Sequence, residues 1–288
     1  MIYRLGFNNK MVLKSGKVVF EPRPCTHRGL SYAEIQRKVQ KMMRSDTPDF
    51  HSGHTPPLGV PEYTARLARD DATRQDAYAL RYLCYLDGGF IAPNKQQSFS
   101  DKFDGLSNTE TVVVYQGQEP IASVRVCFLS LSSLTPAPAR ETFPDEVEAL
   151  LAPFRRSDRG MEAVETTRLV TSPRFANDQG LVFMLYRLAG LLGIQRDVRI
   201  LLSCVRHNHV PFYRRLRYKE IAGPKIYPGL TCPMHLLACS RGDYDAVRGR
   251  FPLMDPDAFP HDNIPGFLAG QLMATQIRPS PALLRQAA

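Results

Sequence analysis

The amino-acid sequence predicts an α/β fold in which a central mixed, mostly antiparallel sheet is flanked by helices. The first observation is a series of short apolar runs of strand length, at residues 112–115, 121–129, 164–170, 199–205 and 236–238. The second is the turn at residues 116–119, which joins the first two runs and favours an antiparallel hairpin. The third is the segment 180–192, which is apolar nearly all round and predicts a buried helix that makes one parallel crossover.

The composition is that of a folded protein with a sizeable core. Hydrophobic residues make up 43% of the 288 residues, and no apolar run reaches the length of about 18 residues that a membrane-spanning helix needs. The N-terminus lacks the apolar region of a secretory signal. The six cysteines show neither a CxxC pair nor a metal-binding spacing. We therefore expect a reducing, cytoplasmic location, no metal site and no permanently bound cofactor.

The charge pattern predicts an acidic partner. The formal net charge is +9, and between Arg196 and Lys225 there are eight Lys or Arg residues against two acidic ones. Such a surplus attracts nucleic acid, an acidic carrier protein or an anionic substrate. The composition alone leaves these three open.

Residues 1–60 are expected to form a peripheral extension. Residues 17–21 predict an edge strand. A capping box at Ser31 opens a helix with one apolar face. This helix packs on the domain or, as the alternative, makes peripheral contact with a membrane surface. Residues 45–61, rich in Pro, Gly, Ser and His, predict a linker.

Residues 61–241 are expected to form one domain, and residues 242–288 a C-terminal extension. Within the domain, residues 62–90 predict a helix that ends at a pair of glycines. A loop at 130–144 leads into a short amphipathic helix at 145–154. The Pro-rich C-terminal extension is expected to wrap the surface.

The segment 199–218 predicts a ligand site. Its apolar run is followed by Asn208 as a helix cap and by Pro211 in the first helical turn. A strand that ends in a capped helix presents backbone N–H groups where ligands bind in open α/β sheets. Asn208, followed by an aromatic pair that ends in Tyr213, resembles the strand–helix unit of the GNAT acyltransferase superfamily, although Arg217 stands where that superfamily has Gly. The resemblance implies a GNAT-like fold and a general-acid role for Tyr213, with a core tyrosine as the alternative.

Charged residues inside apolar strands indicate a second part of the site. Arg125 and Arg168 need partners, because the burial of a lone charge is costly. The pair Asp101 and Asp104 offers carboxylates, although a D-x-x-D pair in a sequence is usually a solvated turn. Strand alternation puts Glu165 and Arg168 on opposite faces. A shared pocket therefore requires a bulge in this strand or a site at the sheet edge.

These residues, together with Arg81 and Thr167, resemble in order and spacing the motif of the acyl-homoserine lactone (autoinducer) synthase branch of the superfamily. Residues 206–237 resemble still more closely the bacterial long-chain N-acyl amino acid synthases, and the resemblance covers roughly residues 75–240. It implies an acyltransferase that moves a long-chain acyl group from a thioester to the α-amine of an amino acid, with Glu165 as the base. The residues implied in substrate binding are Arg81, Asp101, Asp104, Arg125, Thr167 and Arg168.

The loop expected to bind the donor's phosphate lacks most of the glycines that the superfamily has there. Where acetyl-CoA enzymes have R/Q-x-x-G-x-G/A before the central helix, this chain has Arg174 and then only Gly180. Glycine permits the turns that bring the backbone close to phosphate. A single phosphodiester, as in the phosphopantetheine of an acyl carrier protein, therefore fits better than acyl-CoA. The residues implied in binding the donor phosphate or docking the carrier are Arg174, Gly180, Arg206, Asn208, Arg214 and Arg215.

The resemblance leaves other functions open. A signal synthase of the acyl-homoserine-lactone type and an exosortase-associated acyltransferase are alternatives within the fold. A nucleic-acid-binding protein that uses the Arg-rich helix is an alternative of another class, marked by steep salt dependence without thioester consumption. A non-catalytic scaffold is the last. Because an acyl carrier protein and an amino acid are the expected partners, nucleic acid is not expected.

Overall fold

The computed structural model describes residues 9–14, 17–22, 63–154, 161–176, 178–260 and 262–277. Its strands are β1 (Asn9–Lys14), β2 (Lys17–Pro22), β3 (Tyr63–Leu67), β4 (Thr109–Gln116), β5 (Glu119–Leu129), β6 (Ala163–Thr171), β7 (Ile200–Val205), β8 (Lys219–Ile226), β9 (Pro233–Ser240) and β10 (Met273–Thr275). Its α-helices are α1 (Asp71–Asp87), α2 (Pro138–Thr142), α3 (Pro144–Leu151), α4 (Gln179–Gln195), α5 (Val210–Arg215), α6 (Arg241–Arg250) and α7 (Ile264–Leu268). The helix predicted to begin at Ser31 and the linker 45–61 lie outside the described residues.

Strands β3 to β10 form one sheet in the order β10-β3-β4-β5-β6-β7-β9-β8. Strands β6 and β7 pair in parallel, and the other neighbours in this sheet pair antiparallel. Helix α4 connects the two parallel strands. The mixed, mostly antiparallel sheet and its single crossover are therefore confirmed. The β1–β2 hairpin is a separate sheet, so residues 17–21 lie in a strand as predicted.

The two faces of the large sheet are covered by different helices. Helix α4 packs its apolar residues against one face, which Val124 and Val126 of β5 also line. Helices α1, α2 and α3 cover the opposite face, toward which Arg125 and Cys127 point because successive strand residues alternate. The charged residues predicted for the site therefore lie under α1.

The start of the domain differs from its prediction. Residues 63–67 form strand β3 rather than the first turns of a helix, and their burial alternates with a period of two. Helix α1 begins only at Asp71, because the Asp70 carboxylate caps it by accepting from the Thr73 N–H at 2.8 Å. Its predicted end at the glycine pair is confirmed, with Gly88 at the C-cap.

The C-terminal residues also differ from their prediction. They do not only wrap the surface. The described residues between 241 and 277 contain two α-helices, two short 3₁₀ helices and a strand, β10, that pairs with β3 at the edge of the sheet. Residues 236–238 are therefore not the last strand. Phe267 and Met273 are fully buried, so hydrophobic burial holds this segment to the domain. Among the helices of the described residues, none is long and apolar enough to cross a membrane.

Candidate active site

A bulge in β6 brings the predicted site residues to one face of the sheet. Ser123 lies opposite Val170 and Arg125 lies opposite Thr167, so two residues of β6 face one residue of β5. Arg168, the first of the two, has a φ of +52°, in the left-handed region that some bulges use. The bulge that strand alternation required is therefore present. Arg168 and Arg125 reach the same carboxylate as a result.

Three arginines and two aspartates form a buried arginine–aspartate network under α1. Arg81 Nη1 donates to Asp104 Oδ1 at 2.8 Å, and Arg125 Nη1 lies 3.0 Å from the same oxygen. Arg125 also donates to both oxygens of Asp101, at 2.6 and 3.2 Å. Arg168 donates to Asp101 Oδ2 through Nη2 at 2.6 Å and through Nε at 3.2 Å. The expected partners of the strand arginines are confirmed, and the solvated-turn alternative for the aspartates is wrong.

The network carries one more positive than negative charge. Burial opposes the ionised form of Asp101, but the hydrogen bonds and charges of Arg125 and Arg168 outweigh it and hold its pKa well below the ordinary value. Arg168 Nη1 has no hydrogen-bond partner among the described residues. Arg168 also lines the cavity beside the network. Its guanidinium therefore combines a place in the cavity wall with an uncommitted N–H group, the kind of donor that anionic ligands bind.

Strands β6 and β7 separate at the level of the bulge. Their pairing runs from Ala163 with Ile200 to Thr166 with Ser203, although both strands continue beyond it. Farther on, β6 stays with β5 and β7 stays with β9, and a cavity of about 70 Å³ lies between them. Its walls include Thr167, Arg168, Cys204, Arg206, Tyr213 and Tyr227.

Tyr213 reaches this cavity from α5. The Tyr186 hydroxyl on α4 donates to its oxygen at 2.8 Å. A phenol has a single hydroxyl hydrogen, so Tyr213 keeps its own for another acceptor. Burial raises the pKa of Tyr213 above its ordinary value, and the hydroxyl is therefore protonated at neutral pH. This arrangement suits a group that gives a proton to a leaving atom.

The start of α5 differs from the prediction. Asn208 lies in the middle of a 3₁₀ turn, His207–His209, and α5 begins after this turn with no side-chain cap. The turn bonds its own backbone, since the His209 N–H donates to the Arg206 carbonyl at 2.9 Å. The prediction that Asn208 caps the helix is therefore wrong. Pro211 does lie in the first turn of α5.

Glu165 lies behind the cavity wall. Its side chain is fully buried, and its carboxylate accepts from the Ala139 N–H at 2.9 Å and from the Tyr227 hydroxyl. Burial outweighs these donors and raises the pKa of Glu165 above its ordinary value, in the direction that a general base needs. The Tyr227 hydroxyl lies 2.9 Å from Thr167 Oγ1. Tyr227 therefore stands between this carboxylate and the cavity.

The residues predicted to contact the donor lie in several places. Arg206 lines the cavity, and its guanidinium lies 4.6 Å from the centroid of the Phe90 ring. Arg214 and Arg215 are exposed on α5. Arg174 is exposed after β6 and pairs at 2.8 Å with a glutamate of β5. Arg206, Arg214 and Arg215 thus lie on or just before α5, whereas Arg174 belongs to another part of the chain.

The N-terminus of α4, predicted to receive phosphate at Gly180, is covered by the protein's own side chains. The Asp178 carboxylate caps the helix by accepting from the Leu181 N–H at 3.1 Å. The side chain of Ile277 packs so closely over Gly180 that no space for a Cβ remains. A carboxylate already occupies the positive end of this helix, so the geometry does not favour Gly180 as a phosphate ligand.

An open cleft of about 530 Å³ adjoins the cavity. It shares Phe90, Tyr227 and Leu230 with the cavity walls. Ile91 and Ile226 add further apolar surface. The cleft therefore has the lining expected for an apolar part of a substrate.

Tyr227 is the site residue that the sequence analysis did not single out. It follows β8 and precedes a turn in which Gly229 has a φ of +72°. Arg168 Nη2 donates to the Pro228 carbonyl at 2.8 Å and ties this turn to the network. The available signal was the Tyr-Pro-Gly sequence after a strand. Such a signal predicts a turn and gives no role for the tyrosine.

Comparisons with known proteins identify a family model and solved structures that this chain resembles. The family model described as "N-acyl amino acid synthase FeeM" matches residues 76–240, more than half of the chain. The solved structure of FeeM, an N-acyl amino acid synthase from uncultured soil microbes, is 15% identical, with a TM-score of 0.52 over 68% of this chain and 98% of that one. The CoA-dependent acyl-homoserine lactone synthase BjaI, solved with MTA, is 12% identical, with a TM-score of 0.46 over 65% of this chain and 84% of that one. No curated protein matches the chain.

The structural likeness to FeeM shows the fold. The family model also shows the family, because it matches most of the domain. The matched segment runs from α1 through β9 and contains the arginine–aspartate network, the bulge, the cavity and Tyr213. The chain belongs to the N-acyl amino acid synthase FeeM family and is an acyltransferase with a GNAT-like fold.

Proposed function

We propose that the protein transfers a long-chain acyl group from the phosphopantetheine thioester of an acyl carrier protein, or from acyl-CoA, to the α-amine of an amino acid. The observation that carries this proposal is the cavity between the separated strands β6 and β7. A protonated tyrosine, Tyr213, reaches it from one face of the sheet. Thr167 and Arg168 line it from the other face, and the buried Nη1 of Arg168 has no hydrogen-bond partner among the described residues.

The acceptor's carboxylate binds Arg168. The sequence offered three arginines for this role, but Arg81 and Arg125 donate to the aspartates and do not line the cavity. Arg168 lines it and keeps Nη1 free. Arg81 and Arg125 support Arg168 indirectly, because together with it they hold Asp101 and Asp104 in place.

The amine must lose a proton before it attacks the thioester. Glu165 is the base, and its burial favours the neutral form that it takes on receiving the proton. The tetrahedral oxyanion is stabilised by a backbone N–H of the separated strands. Tyr213 then protonates the leaving thiolate, because its hydroxyl hydrogen is not used by Tyr186.

The donor docks on the basic surface at α5. Arg214 and Arg215 are exposed there, and Arg206 lies at the cavity. Clustered arginines attract an acidic carrier protein and bind phosphate oxygens in a bidentate way. The acyl chain lies in the adjoining apolar cleft beside Phe90 and Leu230. Arg174 and Gly180 remain predicted contacts that the geometry does not bring to this surface.

The test is to incubate the purified protein with a long-chain acyl carrier protein thioester or with the matching acyl-CoA. Each donor is mixed with the twenty amino acids, and the lipid extract is analysed by mass spectrometry. An N-acyl amino acid from the carrier-protein donor is the expected product and identifies the acceptor. Product from acyl-CoA alone would keep the acyl transfer and overturn the preference for a carrier-protein donor. No product from either donor would contradict the proposal.

Glu165→Gln is expected to lower kcat by about 10²–10⁴-fold, the usual contribution of a general base. Glu162→Gln is the matched control, because Glu162 is also buried beside β6 and also accepts a backbone N–H, from Leu131 at 3.2 Å, whereas the cavity residue Tyr227 donates to Glu165. Unfolding curves check that both variants fold. Full activity in Glu165→Gln would rule out the base assignment.

A further inference from the structure

Tyr227 occupies a position that the proposed chemistry leaves unexplained. The base, Glu165, is fully buried and does not line the cavity. Tyr227 lines both the cavity and the adjoining cleft, and its hydroxyl donates to Glu165 Oε1. An amine in the cavity therefore cannot reach the base directly.

The hydrogen-bond directions define a path between them. Because Tyr227 has one hydroxyl hydrogen and gives it to Glu165, Tyr227 must accept from Thr167 across their 2.9 Å contact. Thr167 then has its oxygen lone pairs left for a donor in the cavity, which it lines. The backbone N–H of Ala139 holds the other carboxylate oxygen at 2.9 Å and fixes the far end of the path.

We propose that Thr167 and Tyr227 form a two-hydroxyl relay that carries a proton from the acceptor's ammonium group to Glu165. This inference rests on the proposed function. The ammonium nitrogen gives a proton to Thr167 Oγ1, the hydrogen of Thr167 moves to the Tyr227 oxygen, and the hydrogen of Tyr227 moves to the carboxylate. The nitrogen becomes a neutral amine with a free electron pair, Glu165 becomes a carboxylic acid, and both hydroxyls are restored. Formation of the C–N bond and cleavage of the C–S bond follow.

The surroundings of Glu165 favour this path over another. Cys204 also lines the cavity and interacts with Glu165, but a thiol is a weak hydrogen-bond donor and acceptor, and burial raises the pKa of Cys204 well above its ordinary value. Thr167 and Tyr227 offer two hydroxyl oxygens that are joined to each other and to Glu165 by hydrogen bonds. The charged and titratable groups that act on Glu165 or its partners are Arg125 and Cys127 from β5, Arg168 from β6, Cys204 from β7, and Tyr227.

The test is the pH profile of kcat/KM for the acceptor in Tyr227→Phe, which keeps the ring and removes the hydroxyl. Without the relay, the variant acts only on amine that is already neutral in solution. We expect a loss on the order of 10²-fold at pH 7. The loss shrinks about tenfold per pH unit up to the pKa of the free amine, because each unit raises the neutral fraction about tenfold. Thr167→Val should show the same profile, and the double variant should be no slower than either single one.

Tyr244→Phe is the control, because Tyr244 is a buried tyrosine on the α4 face whose hydroxyl has no hydrogen-bond partner among the described residues. It should leave the profile unchanged. A loss in Tyr227→Phe that is equal at all pH values, or that appears only in KM, would assign Tyr227 a structural role and overturn the relay. A pH-dependent loss in Cys204→Ala but not in Tyr227→Phe would move the path to the thiol and overturn it too.

Two further readouts keep the result decisive. If Tyr227→Phe fails to fold, Thr167→Val decides alone, since a normal profile in that variant contradicts the relay. If the wild-type protein forms no N-acyl product from any donor, the proposed function fails. If the wild type is active and both variants match it, only the relay fails.

Discussion

The two faces of the sheet bury their arginines in different ways. Under α1, Arg81, Arg125 and Arg168 share two aspartates, and each arginine is bonded to at least one carboxylate within 2.8 Å. On α4, on the other face, Arg187 is equally buried, but its nearest carboxylate oxygen, on Asp262, lies 3.8 Å away. The three arginines under α1 are nearly neutralised by two close aspartates. Arg187 has a more distant counter-charge, on Asp262.

Arg187 is stabilised by contacts other than a close ion pair. Its Nη2 donates at 2.8 Å to both Thr275 Oγ1 and the Gln276 carbonyl. Its guanidinium lies 3.2 Å from the centroid of the Phe259 ring, a cation–π contact. Burial lowers its pKa to about 10. Because these partners all belong to the C-terminal segment, Arg187 holds β10 and its neighbours to the domain.

The difference separates two uses of a buried charge. In the arginine–aspartate network, counter-charges fix a donor beside the cavity, so stability and activity depend on the same contacts. In the Arg187 contacts, the charge joins a late segment of the chain to the core and touches neither described cavity. Substitutions in the first region should therefore affect both properties, and those in the second should affect stability alone.

The largest expected effect on stability comes from Asp101→Asn. It leaves Arg125 and Arg168 buried with less counter-charge. Loss of one partner from a buried ion pair costs about 3–5 kcal/mol. Urea unfolding should show a decrease of this size in the free energy of unfolding, and the folded fraction should also lose acyl transfer because Arg168 is no longer fixed. Normal activity in the folded variant would show that acyl transfer does not require the network to hold Arg168 in place.

The network could be predicted from the sequence, because the argument needed only the cost of burying single charged residues. Charged residues inside apolar strands need partners, and the only step left open was geometric. Strand alternation placed Glu165 and Arg168 on opposite faces, and the bulge at Arg168 resolved the conflict. The pattern indicated that an irregularity was required, but the choice between a bulge and a sheet edge depended on pairing with β5.

Other parts of the molecule depended on contacts far apart in sequence. The short strands β3 and β10 pair with each other across about 200 residues, and β10, with three residues, is too short to show an alternating pattern. Strand β8 is largely exposed and contains a Gly-Pro step, so it lacks the apolar run typical of a strand. Tyr227 acquires its role only because β8 brings it beside Glu165, 62 residues earlier.

Acid should weaken the network by a smaller and graded amount. The pKa of Asp101 and that of Asp104 are lowered in the folded protein, because the charges and hydrogen bonds of the arginines outweigh burial. Their contribution to stability is therefore complete above the unfolded pKa of about 4 and is lost as the pH falls below it. The free energy of unfolding should fall by up to about 1.4 kcal/mol per pH unit for each carboxylate. Urea titrations between pH 5 and 2 should show a shallower slope for Asp101→Asn, and equal slopes would contradict the assignment.

Arg187→Met tests the other face and should have a smaller effect. The substitution removes two hydrogen bonds and the contact with Phe259, but it also removes the desolvation cost of a buried charge whose counter-charge on Asp262 lies 3.8 Å away. We expect a loss of about 1–2 kcal/mol in the free energy of unfolding, near the value of a hydrogen bond to a charged group. The kcat of the folded protein should stay within about twofold, because Arg187 lines neither described cavity. A twofold change corresponds to well below 1 kcal/mol in the activation free energy. A large loss of kcat at unchanged stability would show that the two regions are coupled.

The smallest effect is expected from Lys102→Met, one residue from Asp101. Lys102 pairs with Glu141 at 2.6 Å, but the two side chains are 68% and 45% exposed. Exposed pairs contribute about 0–1 kcal/mol because water and mobile ions screen them. The small change in the free energy of unfolding should vanish in about 1 M salt, where the Debye length is about 3 Å. The deficit of Asp101→Asn should persist in the same salt, because its partners are shielded from solvent. If both deficits vanish together, net charge rather than burial determines the strength of these ion pairs.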